Sequence, residues 1–431
     1  MNRKNINILM SYVMTTNLSE RGDVLLCCLF GATLALHIVL PPWTAVPGYA
    51  CDCSTKKVLR YRFNGFATLV NMLIGCALLV RWDIVSPSAL AKGYWAALRT
   101  ACGLGLGLSA FLYVRGKARL ARGAVDRGAT CLTVNGPRSD AAKEHTEFDA
   151  RSSLAHFYCG IEWNPRVALL GVGVDVKMFN YVVGAMGLAC NVLSAVALHL
   201  EQRGGLEWAN LSWAMLAYAA PMLWFVSEYL CFENVHVYTY DIFCERTGAK
   251  MCWGCWCFYP FFYCVGAWPI VELASEDKDI HAATALACVM LFAAGWLTTR
   301  GANLQKWLWR SRAGNVEVWK KQEPAAKKLG KYFFIEDWKT VPGSNDRLLC
   351  GGWWGYSRHV NYFGEIVQAV ALALPGWLAT GSVLPWLYPL YYVALFIPRQ
   401  IDDDQRCLAK YGEVWKTYEK LVPYRIVPGV Y

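Results

Sequence analysis

The residues able to do chemistry gather in a few places, and the densest lies late in the chain. It reads Leu348-Leu349-Cys350-Gly351-Gly352-Trp353-Trp354-Gly355-Tyr356-Ser357-Arg358-His359-Val360-Asn361-Tyr362-Phe363-Gly364-Glu365. Paired tryptophans between glycines, then Arg-His-x-Asn-Tyr, bring ring faces, cationic donors and an amide together. A second group follows at Arg399, Asp402, Asp403, Asp404, Cys407, Lys410, Tyr411 and Tyr418. The two suit a pocket for a planar, anionic ligand: rings stack on a heterocycle, Asp403 accepts from an amide or ribose, and Lys410 meets phosphate.

Three further clusters precede them. Asn303-Leu304-Gln305-Lys306 is followed by Arg310, which shares a helix face with Lys306. That face is either a solvated helix end or a phosphate clamp, with Arg as a bidentate donor and Lys as a point charge. Residues 233–245 hold His236, Tyr238, Thr239, Tyr240 and Asp241 between two apolar runs. Gly160-Ile161-Glu162-Trp163-Asn164-Pro165-Arg166 leads to Asp175-Val176-Lys177, just before another run. The Asp175/Lys177 pair either marks a membrane boundary by snorkelling or belongs to a buried site. Ionisable residues in or beside spanning segments are functional candidates by default.

These clusters need a scaffold, and composition names its class. Of 431 residues, 56% are hydrophobic, 14% aromatic and only 17% charged, against about 25% charged in soluble domains. Disorder, collagen-like repeats and a purely soluble enzyme are excluded. Apolar runs of spanning length occur at 24–40, 65–80, 96–114, 178–200, 208–231, 251–271 and 281–298, with two shorter runs at 366–379 and 383–397. The expected fold is all-α: a polytopic transmembrane helical bundle with a C-terminal pocket. Thr380-Gly381-Ser382 separates the last two runs, which read as a tight helical hairpin. Residues 1–23 read as a polar N-terminal tail without a cleavage site, 24–300 as the membrane-facing helices, and 301–431 as a ligand-binding C-terminal half.

The net charge of +10 sits in loops and tail at 115–153, 301–352 and 399–431. The positive-inside rule places all three on the cytoplasmic side, and no nucleic-acid partner is implied. Most of the 18 cysteines lie in apolar runs and act as small hydrophobes. Cys252, Cys255 and Cys257 lack a matching second pair, so no metal site is expected. Cys51 and Cys53 flank an aspartate in a loop and are open to redox chemistry.

At these residues the sequence resembles the membrane sterol reductases, which include the sterol Δ14-, Δ7- and Δ24(28)-reductases and the reductase half of the lamin B receptor. The resemblance is carried by Tyr61-Arg62-Phe63-Asn64-Gly65, Asn164-Pro165-Arg166, Asp175-x-Lys177, Asp241-Ile242 and Asn303-x-Gln305-Lys306-x3-Arg310. It continues through Gly352-Trp353-Trp354-Gly355, Arg358-His359-x-Asn361-Tyr362, Cys407-x2-Lys410-Tyr411-Gly412 and the block from Val422 to Pro428. It implies about ten spanning helices in the endoplasmic reticulum membrane and an NADPH site in the C-terminal half. The implied cofactor-binding residues are Lys306, Arg310, Leu349, Trp354, Asn361, Tyr362, Arg399, Asp403, Cys407, Lys410, Tyr411 and Tyr418. Within the family, the Arg358 to Tyr362 block and the ending Pro423-Tyr424-Arg425-Ile426-Val427-Pro428-Gly429-Val430-Tyr431 look most like the Δ14-reductases.

The chain departs from the family pattern at Pro398-Arg399-Gln400-Ile401-Asp402-Asp403, at Tyr181 and Val183, and at Cys255. The resemblance implies NADPH-dependent reduction of a sterol double bond: protonation of one alkene carbon, then hydride delivery to the cation. Candidate acids are Asp241 with Tyr238 and Tyr240, and Asp403. The implied substrate is the Δ14 bond of a Δ8,14 sterol, with the Δ7 and Δ24(28) bonds as alternatives. An isoprenylcysteine-type methyltransferase and a non-enzymatic sterol receptor are the rival classes. The implied partners are a sterol and membrane lipid.

Overall fold

A long apolar segment in lipid must satisfy its own backbone hydrogen bonds, and a helix does so. The computed structural model describes residues 21–42, 45–51, 58–125, 141–276, 278–314, 330–335, 337–344 and 348–431. Most of the expected N-terminal tail, Cys53, and Lys320, Lys321, Lys327 and Lys328 of the basic loop lie outside the described residues. The principal helices are α1 (Gly22–Val39), α2 (Gly65–Arg81), α3 (Tyr94–Ala121), α4 (Val176–Gln202), α5 (Trp213–Cys231), α6 (Ala282–Gly314), α7 (Val360–Thr380), α8 (Leu387–Tyr411) and α9 (Glu413–Leu421). Two antiparallel hairpins, β1 (Ala45–Cys51) with β2 (Val58–Arg62) and β3 (Arg166–Leu169) with β4 (Val172–Asp175), complete the framework.

Among the described residues, six helices are long and apolar enough to cross a membrane: α1, α3, α4, α5, α6 as far as Arg310, and α7. Helix α2 is apolar but shorter. The run at 251–271 does not form one helix. It divides into Ala249–Trp253, a π-helical turn at Gly254–Phe258, Tyr259–Phe262 and Trp268–Glu272. Pro260 and Pro269 account for the breaks, since each lacks an N–H and crowds the preceding turn.

The late hairpin forms, with corrected ends. Gly381 closes α7 in the left-handed region at φ +72° and donates its N–H to Trp377 O at 2.7 Å. Helix α7 starts at Val360, ahead of the apolar run, because hydropathy penalised Asn361 and Glu365. Helix α8 runs past 397 to Tyr411, so Arg399, Asp403, Cys407 and Lys410 stand on one helix and not in a tail. The expected divide at 300/301 falls inside the 33 residues of α6.

Helix α4 is central, with 72% of its most apolar window buried. The Asp175 carboxylate caps it, accepting from Met178 N at 3.1 Å. Helices α6 and α7 meet backbone to backbone. A Cβ on Gly295 would lie 2.8 Å from Gly364 O, and one on Gly364 would lie 2.7 Å from Gly295 O. Small residues permit this approach between spanning helices. Thr299 then donates to Asn361 O at 3.2 Å and accepts from Gln368 Nε2 at 3.0 Å. Gly364→Val is expected to force α6 and α7 apart and destabilise the protein by about 1–3 kcal/mol. Thermal unfolding in detergent measures this, with Gly75→Val, at a site open to its surroundings, as the control that shifts little.

Candidate functional site

A cavity of about 490 Å³ opens between α5, α6, α7, α8 and the broken segment at 235–263. Phe225, Tyr229, Tyr259, Tyr263 and Tyr392 line it at the level of the apolar helices. Lys306, Arg310, Asn361, Arg399 and Asp403 line it where α6, α7 and α8 reach their polar ends. An aromatic chamber thus meets a charged one.

Of the residues expected at the site, the cavity gathers Tyr238, Tyr240, Asp241, Lys306, Arg310, Asn361, Tyr362, Arg399 and Asp403. Leu349, Trp354, Cys407, Lys410, Tyr411 and Tyr418 stand outside its lining. Trp354 packs with Leu349, Ala302 and Val360, and donates its indole N–H to Ala302 O at 3.0 Å. Lys306 Nζ lies 4.5 Å from the Trp354 ring centre, a cation–π contact that holds the ammonium at the cavity wall. Cys407, Tyr411 and Tyr418 pack around Trp415 and Val422, and Lys410 lies over the Tyr411 ring.

Charged pairs tie the chambers together. Arg399 Nη2 donates to Asp241 Oδ1 at 2.7 Å and reaches Glu245 Oε1 at 3.4 Å. The Tyr240 hydroxyl donates to Asp402, which also accepts from Arg406 Nε at 2.6 Å. Burial raises the Tyr240 pKa, so its phenol keeps its proton. Arg310 Nη1 donates to Tyr238 O at 3.0 Å, which orients the guanidinium at the rim. Gln305 bonds Asp337 O and Trp353 N, organising the loop before α7 rather than the cavity.

His359 belongs to the Arg358–Tyr362 motif, whose spacing assigns it no role. Its ring stacks on Tyr362 at 5.0 Å, and Tyr362 stacks on Phe396 at 4.2 Å. Burial lowers its pKa to about 4, so it is neutral at pH 7. Its Nε2 and Asn361 Oδ1 are buried without partners. These orphaned groups, with the Lys306 and Arg310 cations, fit a nucleotide carrying phosphates and a carboxamide.

Lys177 is fully buried, which overturns the snorkelling alternative. Its Nζ donates to Asp241 O at 2.9 Å, Ile242 O at 3.2 Å and Glu245 O at 2.6 Å. One ammonium therefore closes the C-terminal carbonyls of the Tyr240–Phe243 turn and sets the side chains of Tyr240 and Asp241. Sequence reading gave no role to Glu228, Arg300 or Glu365, which also line the cavity. Their signal was present: each is a charge within or at the edge of a spanning helix. Tyr181 and Cys255, two departures from the family pattern, line the cavity as well, while Val183 is fully buried in the core.

The sequence matches the ergosterol biosynthesis ERG4/ERG24 family over residues 2–431. It is 27% identical over 379 residues to a protein named Delta(14)-sterol reductase from Arabidopsis thaliana, covering 88% of each chain. It is 36% identical over 277 residues to the Delta(14)-sterol reductase of Methylotuvimicrobium alcaliphilum, covering 64% of this chain and 58% of that protein. Similarity extends to the 7-dehydrocholesterol reductase of Xenopus laevis, 29% identical over 276 residues, covering 64% of this chain and 54% of that protein.

Lys177→Met would leave three carbonyls unpaired, and an unsatisfied buried group costs about 1–3 kcal/mol. Amide hydrogen exchange is expected to rise across residues 238–247 while the spanning helices stay protected. Unchanged exchange there would show that the lysine does not pin the turn.

Proposed function

Because the chain belongs to the ergosterol biosynthesis ERG4/ERG24 family, we propose that it is a membrane sterol reductase that uses NADPH to saturate a sterol carbon–carbon double bond. The preferred substrate is the Δ14 bond of a Δ8,14 sterol. The observation that carries this reading is a cavity in which an aromatic chamber among the apolar helices meets Lys306, Arg310, Arg399 and Asp403. The setting is the endoplasmic reticulum membrane, with the basic loops and C-terminus cytoplasmic.

Lys306 and Arg310 would hold the phosphates, and His359, Asn361 and Tyr362 the nicotinamide end. Trp354, Leu349, Cys407, Lys410, Tyr411 and Tyr418 would support or extend this site from behind the lining. NADPH would supply the hydride. The chain must supply a proton, align the alkene and exclude water that would quench a tertiary cation. Tyr229, Tyr259 and Tyr392 offer ring faces to the developing charge.

Two of the candidate donors are engaged: Asp241 serves Arg399, and Tyr240 donates to Asp402. Asp403 lines the cavity and forms no ion pair among the described residues. It is the donor this reading prefers. Arg399 and Asp241, paired on the cavity wall, would fix α8 against the turn at 240–243 and so hold the shape of this chamber.

Membranes containing the protein, given NADPH and a Δ8,14 sterol, are expected to lose the 14,15 double bond. Lys306→Ala is expected to raise the KM for NADPH by roughly 10- to 100-fold, as for a lost charged contact. Turnover of only a Δ7 or Δ24(28) sterol would move the reaction to that bond. Absence of turnover on all three, with no NADPH binding, would overturn the reading.

A further inference from the structure

Glu365 stands on α7 one turn beyond Tyr362 and one turn before Gln368, and all three line the cavity. Among the described residues its carboxyl accepts no hydrogen bond and forms no ion pair. It is partly exposed, and the surface it exposes faces the cavity. A carboxyl in a spanning helix without a partner calls for a ligand.

Its neighbours define what that ligand is. Arg300 forms no ion pair with it: the Arg300 Nε is committed to Glu228, the guanidinium lies 4.4 Å from the Phe232 ring centre, and the buried Nη1 has no partner. The Gln368 amide nitrogen donates to Thr299 Oγ1 at 3.0 Å and Gly364 O at 3.3 Å, leaving Oε1 buried and unpartnered. The Tyr259 hydroxyl, on the same cavity, is also unpartnered. The site therefore offers a carboxyl and an amide oxygen as acceptors. Arg300 opposes a cationic ligand, and the two carboxyls oppose an anionic one. A neutral hydroxyl donor satisfies both conditions.

Depth agrees with this assignment. Arg300 precedes Lys306 on α6 by six residues, about 9 Å along the helix at 1.5 Å per residue. On α7 itself Glu365 and Gln368 stand four and seven residues beyond Asn361, about 6 and 10 Å along the axis at the same rise, so the acceptors lie deeper than the residues assigned to the nicotinamide end.

We propose that Glu365 and Gln368 form an acceptor subsite for the alcohol hydroxyl of the sterol, holding that end deep in the cavity while the double bond lies toward Arg399 and Asp403. The assignment rests on the sterol reductase reading and adds the group that orients the substrate. Glu228 and Arg300 neutralise each other beside it, so the hydroxyl meets one acceptor carboxyl and no net competing charge.

Equilibrium binding to the full-length protein in lipid nanodiscs tests this without turnover, using a 3β-hydroxysterol and its 3-deoxy analogue. The wild type is expected to prefer the hydroxysterol by roughly 10- to 100-fold. Glu365→Leu is expected to erase the preference, and Glu365→Gln, which still accepts a hydrogen bond, to keep part of it. NADPH binding by each variant reports that the fold is intact. No preference in the wild type, an unchanged preference in Glu365→Leu, or equal loss of both sterols with NADPH binding retained would each overturn the subsite. If Glu365→Leu does not fold, Glu365→Gln decides: a preference reduced at least threefold supports the subsite, and an unchanged one overturns it. Because binding is read directly, failure of the reductase reading shows separately, as sterol binding without product.

Discussion

The close approach of α6 and α7 at Gly295 and Gly364 is the constraint on which the site depends. With no side chain between the backbones, Thr299 can bond across to Asn361 O and to Gln368. That lock sets the register of two helices whose facing residues make one wall of the cavity. Arg300, Asn303, Lys306 and Arg310 project from α6, and Asn361, Tyr362, Glu365 and Gln368 from α7. A slip of one residue in either helix would rotate these groups into lipid or core.

Charge compensation works within that frame. Arg399 and Asp241 join α8 to the turn held by Lys177, and Arg300 and Glu228 join α6 to α5. Breaking a buried pair by removing one partner typically costs about 3–5 kcal/mol, because the remaining charge is stranded. Arg300 and Glu228 are such a buried pair, and Arg399–Asp241, partly exposed to the cavity, is the weaker tie. The C-terminal segment adds another tie: Arg358 N and His359 N donate to Tyr424 O and Arg425 O, so the tail fastens the start of α7.

How much of this was legible in the sequence depended on the scale of each signal. Apolar runs pointed to the spanning helices, motif blocks picked out Lys306, Arg310, Asn361 and Tyr362, and the late charged group supplied Arg399 and Asp403, all of which line one cavity. Hydropathy averaged over a span obscured what single residues decide. It hid Glu228 among apolar neighbours, ended the runs short of Arg300 and Glu365, and joined 251–271 although Pro260 and Pro269 divide it. The site motifs also mixed lining with support. Trp354 and Tyr418 belong to the packing behind Lys306, a distinction of depth that spacing does not encode. The three-carbonyl role of Lys177 depends on a partner turn far along the chain and had no local signature.

The central claim is that one cavity brings a nucleotide hydride and a protein-held proton to the two carbons of a sterol alkene. Isotope tracing tests it most directly. The purified protein would reduce a Δ8,14 sterol once with NADPH deuterated at the transferred position in H2O, and once with unlabelled NADPH in D2O. The predicted result is one deuterium at one alkene carbon from the nucleotide and one at the adjacent carbon from solvent. Reduction that places solvent deuterium at both carbons, or no reduction of the sterol under either condition, would contradict it.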